Sequence, residues 1–156
     1  MLAVKNNEIK INEKDIQEFE KEYNIKLPED FVLFLLETNG GYPIGEIYTQ
    51  PFDEIASKTN EKYTQETDVE LFFSLNEIKF EYGDVLDEEY IPAKYIPVAR
   101  SSFGNLFLIR LDNSDDYGSV YFSNHDLFDE EKNRITISKV ADSFSAFIES
   151  LEQCEE

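Results

Sequence analysis

Cysteine, histidine and methionine each occur once in these 156 residues, and tryptophan does not occur. The one cysteine, Cys154, allows no internal disulfide, which fits a reducing compartment. Two glutamates follow it and disfavour its thiolate. One His and one Cys cannot make the usual zinc sets. No stretch approaches the ~20 apolar residues of a membrane-spanning helix. Residues 1–10 carry no apolar core of signal-peptide length, so a cytoplasmic protein is expected. Catalytic and phosphate motifs are missing too. No GK[ST] follows Gly40, Gly41 and Gly45, no G-x-S-x-G occurs, and SSFGN at 101–105 lacks nucleotide-binding spacing. The expectation is a protein with no catalytic residues, no metal and no cofactor.

Positive charge is the next shortage. Fourteen basic residues face 34 acidic ones, a formal net charge of −20. Such a field repels nucleic acid and anionic membranes and speeds the approach of basic partners. What is plentiful is aromatic bulk, 13 Phe and 9 Tyr, which can fill a core. The length suits one domain over 1–156, and no repeat or linker divides it.

The chain is organised around residues 27–41, LPEDFVLFLLETNGG. Pro28 suits a first helical position. Glu29 and Asp30 suit the positive end of a helix dipole. Six apolar residues, Phe31 to Leu36, then run unbroken, which predicts a helix buried on most of its circumference. Gly40 and Gly41 can close it in the left-handed conformation. After an extended lead over 1–11, an amphipathic helix precedes it, capped by Asn12 and Asp15, with Ile16, Phe19 and Tyr23 at helical spacing and Asn24 as terminator. The short link predicts that these two helices pack together.

Beyond the glycines, Ile47 and Tyr48 could start an edge strand, and 52–68 reads as irregular or weakly helical. ELFFSL at 70–75 predicts a strand. Ile78, Tyr82 and Leu86 predict a short helix interrupted by Gly83 and followed by an acidic loop. The period then changes. YIPVA at 95–99 is β-rich, with Pro97 restricting it to a strand end, an edge or a bulge. NLFLIRL at 105–111 is the strongest strand, and 119–122 completes a hairpin across the turn formers of 112–118. Residues 124–133 read as an acidic connector, and 134–138 as a last short strand. Asp142 or Ser143 then caps a helix with Phe144, Phe147, Ile148 and Leu151 on one face. Helices first, then strands, then a helix argues for an α+β fold around a mostly antiparallel sheet.

Few residues suggest chemistry. His125 beside Asp126 reads as a loop histidine next to a carboxylate. Asp112, Ser114 and Asp116 alternate like the start of a calcium loop, but the glycine is one place late at Gly118, and Ser123 stands where a bidentate Glu belongs. Two acidic clusters remain. The first is Glu81, Asp84, Asp87, Glu88 and Glu89, with Tyr82 and Tyr90 among them; the second is Asp126, Asp129, Glu130 and Glu131, with Phe128. Aromatics among carboxylates suit a protein interface, where rings anchor and charges steer. The first cluster is the candidate partner-binding site.

The chain resembles the SUKH superfamily over nearly its whole length. The N-terminal signature is carried by Ile16, Phe19, Glu20 and Tyr23, then Leu27, Pro28, Asp30, Phe31, Phe34, Leu35, Asn39, Gly40 and Gly41. Tyr95 to Ala99, Gly104-Asn105, Leu111-Asp112, Gly118 and Val120-Tyr121-Phe122 resemble the middle signature. Val140 to Phe144, Phe147 and Leu151 resemble the end. Ser101-Ser102-Phe103 departs from it, since acidic or glycine residues are common before that glycine. The resemblance implies a central sheet with helices to one side. It also implies an immunity protein that binds and neutralises a toxin, often a nuclease, with no shared catalytic residues and with contacts that vary between members. The expected partner is a basic, nuclease-like toxin. A non-catalytic regulatory scaffold is the alternative from another class.

Overall fold

The computed structural model describes residues 4–6, 9–56, 61–87, 95–129 and 134–153. Strands β1 (Val4–Asn6), β2 (Gly41–Pro43), β6 (Leu71–Phe72), β7 (Tyr95–Arg100), β8 (Leu106–Arg110), β9 (Val120–Asp129) and β10 (Arg134–Ala141) form one sheet in that order. Every pairing in it is antiparallel. Helices α1 (Glu13–Tyr23), α2 (Glu29–Thr38), α3 (Leu75–Asp87) and α4 (Phe144–Ser150) all feed one core. That core takes Phe107 and Ile109 of β8 and Val120 and Phe122 of β9. The alternate positions Leu108 and Tyr121, directly paired, join Tyr95 in a smaller buried group. Strand side chains alternate between faces, so the helices lie on one face. The fold is α+β.

The link Leu27–Gly41 explains much of this packing. Pro28 is the residue before α2 and not its first turn. Asp30 accepts the Ser145 amide at 2.9 Å, joining the start of α2 to the start of α4. Phe31 and Phe34 both meet Phe144, at 4.9 and 5.0 Å. Leu33 is 59% exposed, so α2 is one-sided and not buried around most of its girth. Ring contacts run from α2 to α4 and from α1 to α3, through Tyr23 and Tyr82, instead of between the two helices that the short link joins. Asn39 ends α2 in the left-handed conformation at φ 48°. Its side-chain NH2 donates to the Ile9 carbonyl, and its oxygen accepts the Leu75 amide. A Cβ on Gly40 would sit 2.5 Å from the Phe73 carbonyl carbon, so the chain there has room only for glycine.

Several boundaries differ from the sequence expectation. The N-terminal lead contains β1. Strand β4 (Phe52–Ala56) pairs antiparallel with β5 (Glu61–Gln65), where irregular or helical structure is expected. Its inward positions are Phe52, edge-on to Phe122, and Glu54, fully buried, so a carboxylate breaks the apolar alternation. Strand β6 is only two residues, and Ser74 caps α3 at once. Helix α3 passes through Gly83. Pro97 sits at a register shift within β7, a bulge in a central strand. Strand β9 runs through the supposed acidic connector to Asp129, and β10 reaches Ala141. Two short strands, β3 (Ile47–Tyr48) and β11 (Glu152–Gln153), pair outside the main sheet.

Candidate functional site

The first acidic cluster falls at the C-terminal end of α3. Ser74 makes this helix begin where it does. Its hydroxyl accepts the Glu77 amide at 3.2 Å, and the Glu77 carboxylate accepts the Ser74 amide at 3.0 Å, a reciprocal capping box. Leu75, Ile78 and Tyr82 then bury one side. Glu81, Asp84 and Asp87 occupy helical positions three residues apart, while Glu88, Glu89 and Tyr90 lie outside the described residues. Tyr82 is 3% exposed, and its ring lies 5.1 Å from that of Tyr23. Burial, and then Tyr23, raise its hydroxyl pKa. Tyr82 is thus a core ring and no surface anchor. The exposed aromatic of this helix is Phe80, at 72%. Position 80 lies about 200° round the helix from Ile78, and that offset is a signal the sequence does carry.

The other sequence candidates have structural roles. His125 is exposed within β9 instead of in a loop, and its amide donates to the Asn105 side chain at 2.9 Å. In the turn after β8, Arg110 holds Asp112 through two contacts of 2.8 Å, and Ser114 donates to the same carboxylate. Asp116 takes Lys139 at 3.0 Å and Arg110 at 3.6 Å. The hydrogen bond to Asp112, then one to Tyr121, raise the pKa of Arg110 further. Protein cations therefore occupy the carboxylates that a calcium ion would need. In the second acidic cluster, Asp126 to Asp129 belong to β9, with Phe128 opposite Ile135 and Asp129 opposite Arg134. Glu130, Glu131 and Cys154 lie outside the described residues.

A second surface is absent from the sequence reading. A cleft of about 800 Å³ opens between the β2–β3 connection, the segment 65–70 and the turn 101–105. Asn105 and Asn124 lie at its floor, 7% exposed each. Glu46, Glu66, Asp68 and Glu70 line it, and its lining contains no Lys or Arg. Arg100 pairs with Glu70 at 3.1 Å from outside the lining. Asp68 accepts the Ser102 amide, and Ser101 closes the turn through the Gly104 and Asn105 amides. Gly104, at φ +83°, lets the turn close, and Phe103 stands at its tip 79% exposed. These residues span positions 42 to 124, so no local motif could have gathered them. The one local signal is a phenylalanine placed in a Ser-Gly turn.

Among the described residues, no helix is long and apolar enough to cross a membrane. Residues 10–150 match the model of the SMI1 / KNR4 family (SUKH-1). No curated protein and no solved structure matches the chain.

Proposed function

The chain belongs to the SMI1 / KNR4 family (SUKH-1), whose domains are generally immunity proteins that bind cognate toxins, and on that premise we propose that it neutralises a basic, nuclease-like toxin in the cytoplasm of the cell that makes both. It acts as a single domain, by binding alone. The observation that carries the reading is the family match over 10–150. The charge of −20 supports the basic partner. A nuclease binds phosphate and is generally positive around its site, so carboxylates can stand where phosphates would.

Helix α3 supports the acidic face. Cations stabilise a helix C-terminus and carboxylates oppose it. Asp84 and Asp87 occupy the C-terminal end of α3, and its last turn holds no basic residue. The arrangement works against the helix, which fits a face kept for a partner. Phe80, exposed next to Glu81, supplies the aromatic that Tyr82 does not. Glu81, Asp84, Asp87, Glu88 and Glu89 are the proposed carboxylates of this face. The test is co-expression with the C-terminal domain of the toxin encoded beside this chain. Growth rescue together with a purified one-to-one complex is expected. Full toxicity and no complex would overturn the reading.

A further inference from the structure

The cleft beside Phe103 combines three properties: concavity, one sign of charge along its lining, and apolar surface at its mouth. Of the large apolar side chains that reach solvent, Tyr42 at 54% and Phe103 at 79% line it, and Ile44 at 57% lies between two lining residues. Glu46 and Glu66 are exposed, and neither has a cation partner among the described residues. Asp68 and Glu70 add two more carboxylates, of which only Glu70 is paired with an arginine. Carboxylates within one concave site reinforce each other's field and attract a cation. The backbone that carries Phe103 is held in place, because three amides of its turn are tied to Asp68 and Ser101. An exposed ring on a fixed backbone loses less entropy on binding and makes an efficient anchor.

We propose that this cleft seats a basic segment of a protein partner. An Arg or Lys lies among Glu46, Glu66 and Asp68, and a neighbouring apolar side chain lies on Phe103 and Tyr42. The occupant follows from charge complementarity: an acidic lining without a cation selects a basic side chain, and the lip selects an apolar neighbour. The proposal deepens the immunity reading, on which the identity of the partner rests, while the chemistry of the seat does not.

The first test is free of the toxin. The isotope-labelled protein is titrated with the peptide acetyl-Gly-Arg-Phe-Arg-Gly-amide, and amide shifts are followed by NMR. Saturable shifts centred on residues 46, 66–70 and 101–104 are expected, and Glu46→Lys/Glu66→Lys removes them. Shifts scattered over the acidic surface, or unchanged in that variant, would overturn the proposal. So would cleft shifts that grow with protein concentration alone, since the occupant would then be a second copy. The second test uses the complex with the neighbouring toxin domain. Phe103→Ala and Glu46→Lys/Glu66→Lys are each expected to weaken it at least about tenfold with unchanged melting temperature. Native affinity in both variants, with growth still rescued, overturns the cleft and leaves the immunity reading intact. Wild-type protein that fails to rescue, but seats the peptide in the cleft, overturns the immunity reading and leaves the cleft standing.

Discussion

Phe144 has the rings of Phe31, Phe34, Phe72 and Phe147 around it at 4.9 to 6.5 Å and is 1% exposed. Phe34, the ring that the apolar run of α2 puts forward, is only partly buried. Phe144→Ala is expected to cost about 3–5 kcal/mol, and Phe34→Ala less. Urea melts of the two variants decide it, and a larger loss at Phe34 would overturn the order. Tyr82 makes a different prediction. Its folded pKa is raised by burial, so the protonated form is the one the fold favours. The stability linked to this group is complete below its unfolded pKa of about 10 and is lost as pH rises through the higher folded value. Tyr82→Phe keeps the ring without the ionisation. The difference in melting temperature between wild type and variant should stay flat from neutral pH to about 9 and then move in the variant's favour. A difference that stays flat into the alkaline range would show that the hydroxyl reaches water. Residue roles were legible where one period ruled, as for Ile16 and Phe19. They were illegible where a polar group is buried, as at Glu54, or where a ring that sits among carboxylates in the sequence turns into the core, as at Tyr82.

Helix α3 shows what an element needs before its sequence can be read. Ser74-Leu75-Asn76-Glu77 is a capping box, and both of its hydrogen bonds form. It marks the helix start at Leu75, before the first periodic residue Ile78, and the helix then carries through Gly83 because Ile78 and Tyr82 anchor its inner side. Ser74→Ala should cost about 1 kcal/mol, within the usual 0.5–2 for a lost cap. Thermal melts measure it, and Ser74→Asp should recover most of the loss. A cost near zero for Ser74→Ala would mean that the Asn39 side chain, which takes the Leu75 amide, holds the helix start unaided. Strands β7 and β8 and the start of β9 were legible from β-branched and aromatic runs, the rest of β9 was not, and the bulge at Pro97 follows from its missing amide hydrogen. The β4–β5 pair was not legible. Its pairing is specified by what it leans on, β10 and Phe122, and such contacts leave no trace in the local pattern.

At the scale of the whole molecule, the charge of −20 and the two candidate surfaces have separable effects. On the proposed reading, the acidic field acts at a distance and governs encounter, whereas the cleft acts at contact and governs release. Family membership was legible because its motifs maintain the fold: Asp30 joins two helices, Asn39 joins three segments, and Gly40 leaves room for the Phe73 backbone. The proposed cleft was not legible, because its residues, from Tyr42 to Asn124, come from separate segments that only the fold brings together. The two roles can be told apart by reversing Asp87, Glu88 and Glu89 to Lys. Each swap changes the charge by two, so −20 becomes −14. Against a basic toxin the association rate should fall several-fold at low salt. The loss should shrink as salt rises, because exposed charges are screened over about 8 Å at physiological ionic strength. The dissociation rate should change little. Melting temperature is the control, and it should hold or rise, since these substitutions put cations near the C-terminal end of a helix dipole. Stopped-flow association at two salt concentrations is the measurement. An unchanged rate at both salts would remove the α3 end from the encounter surface and leave steering to carboxylates elsewhere, those of the cleft first among them.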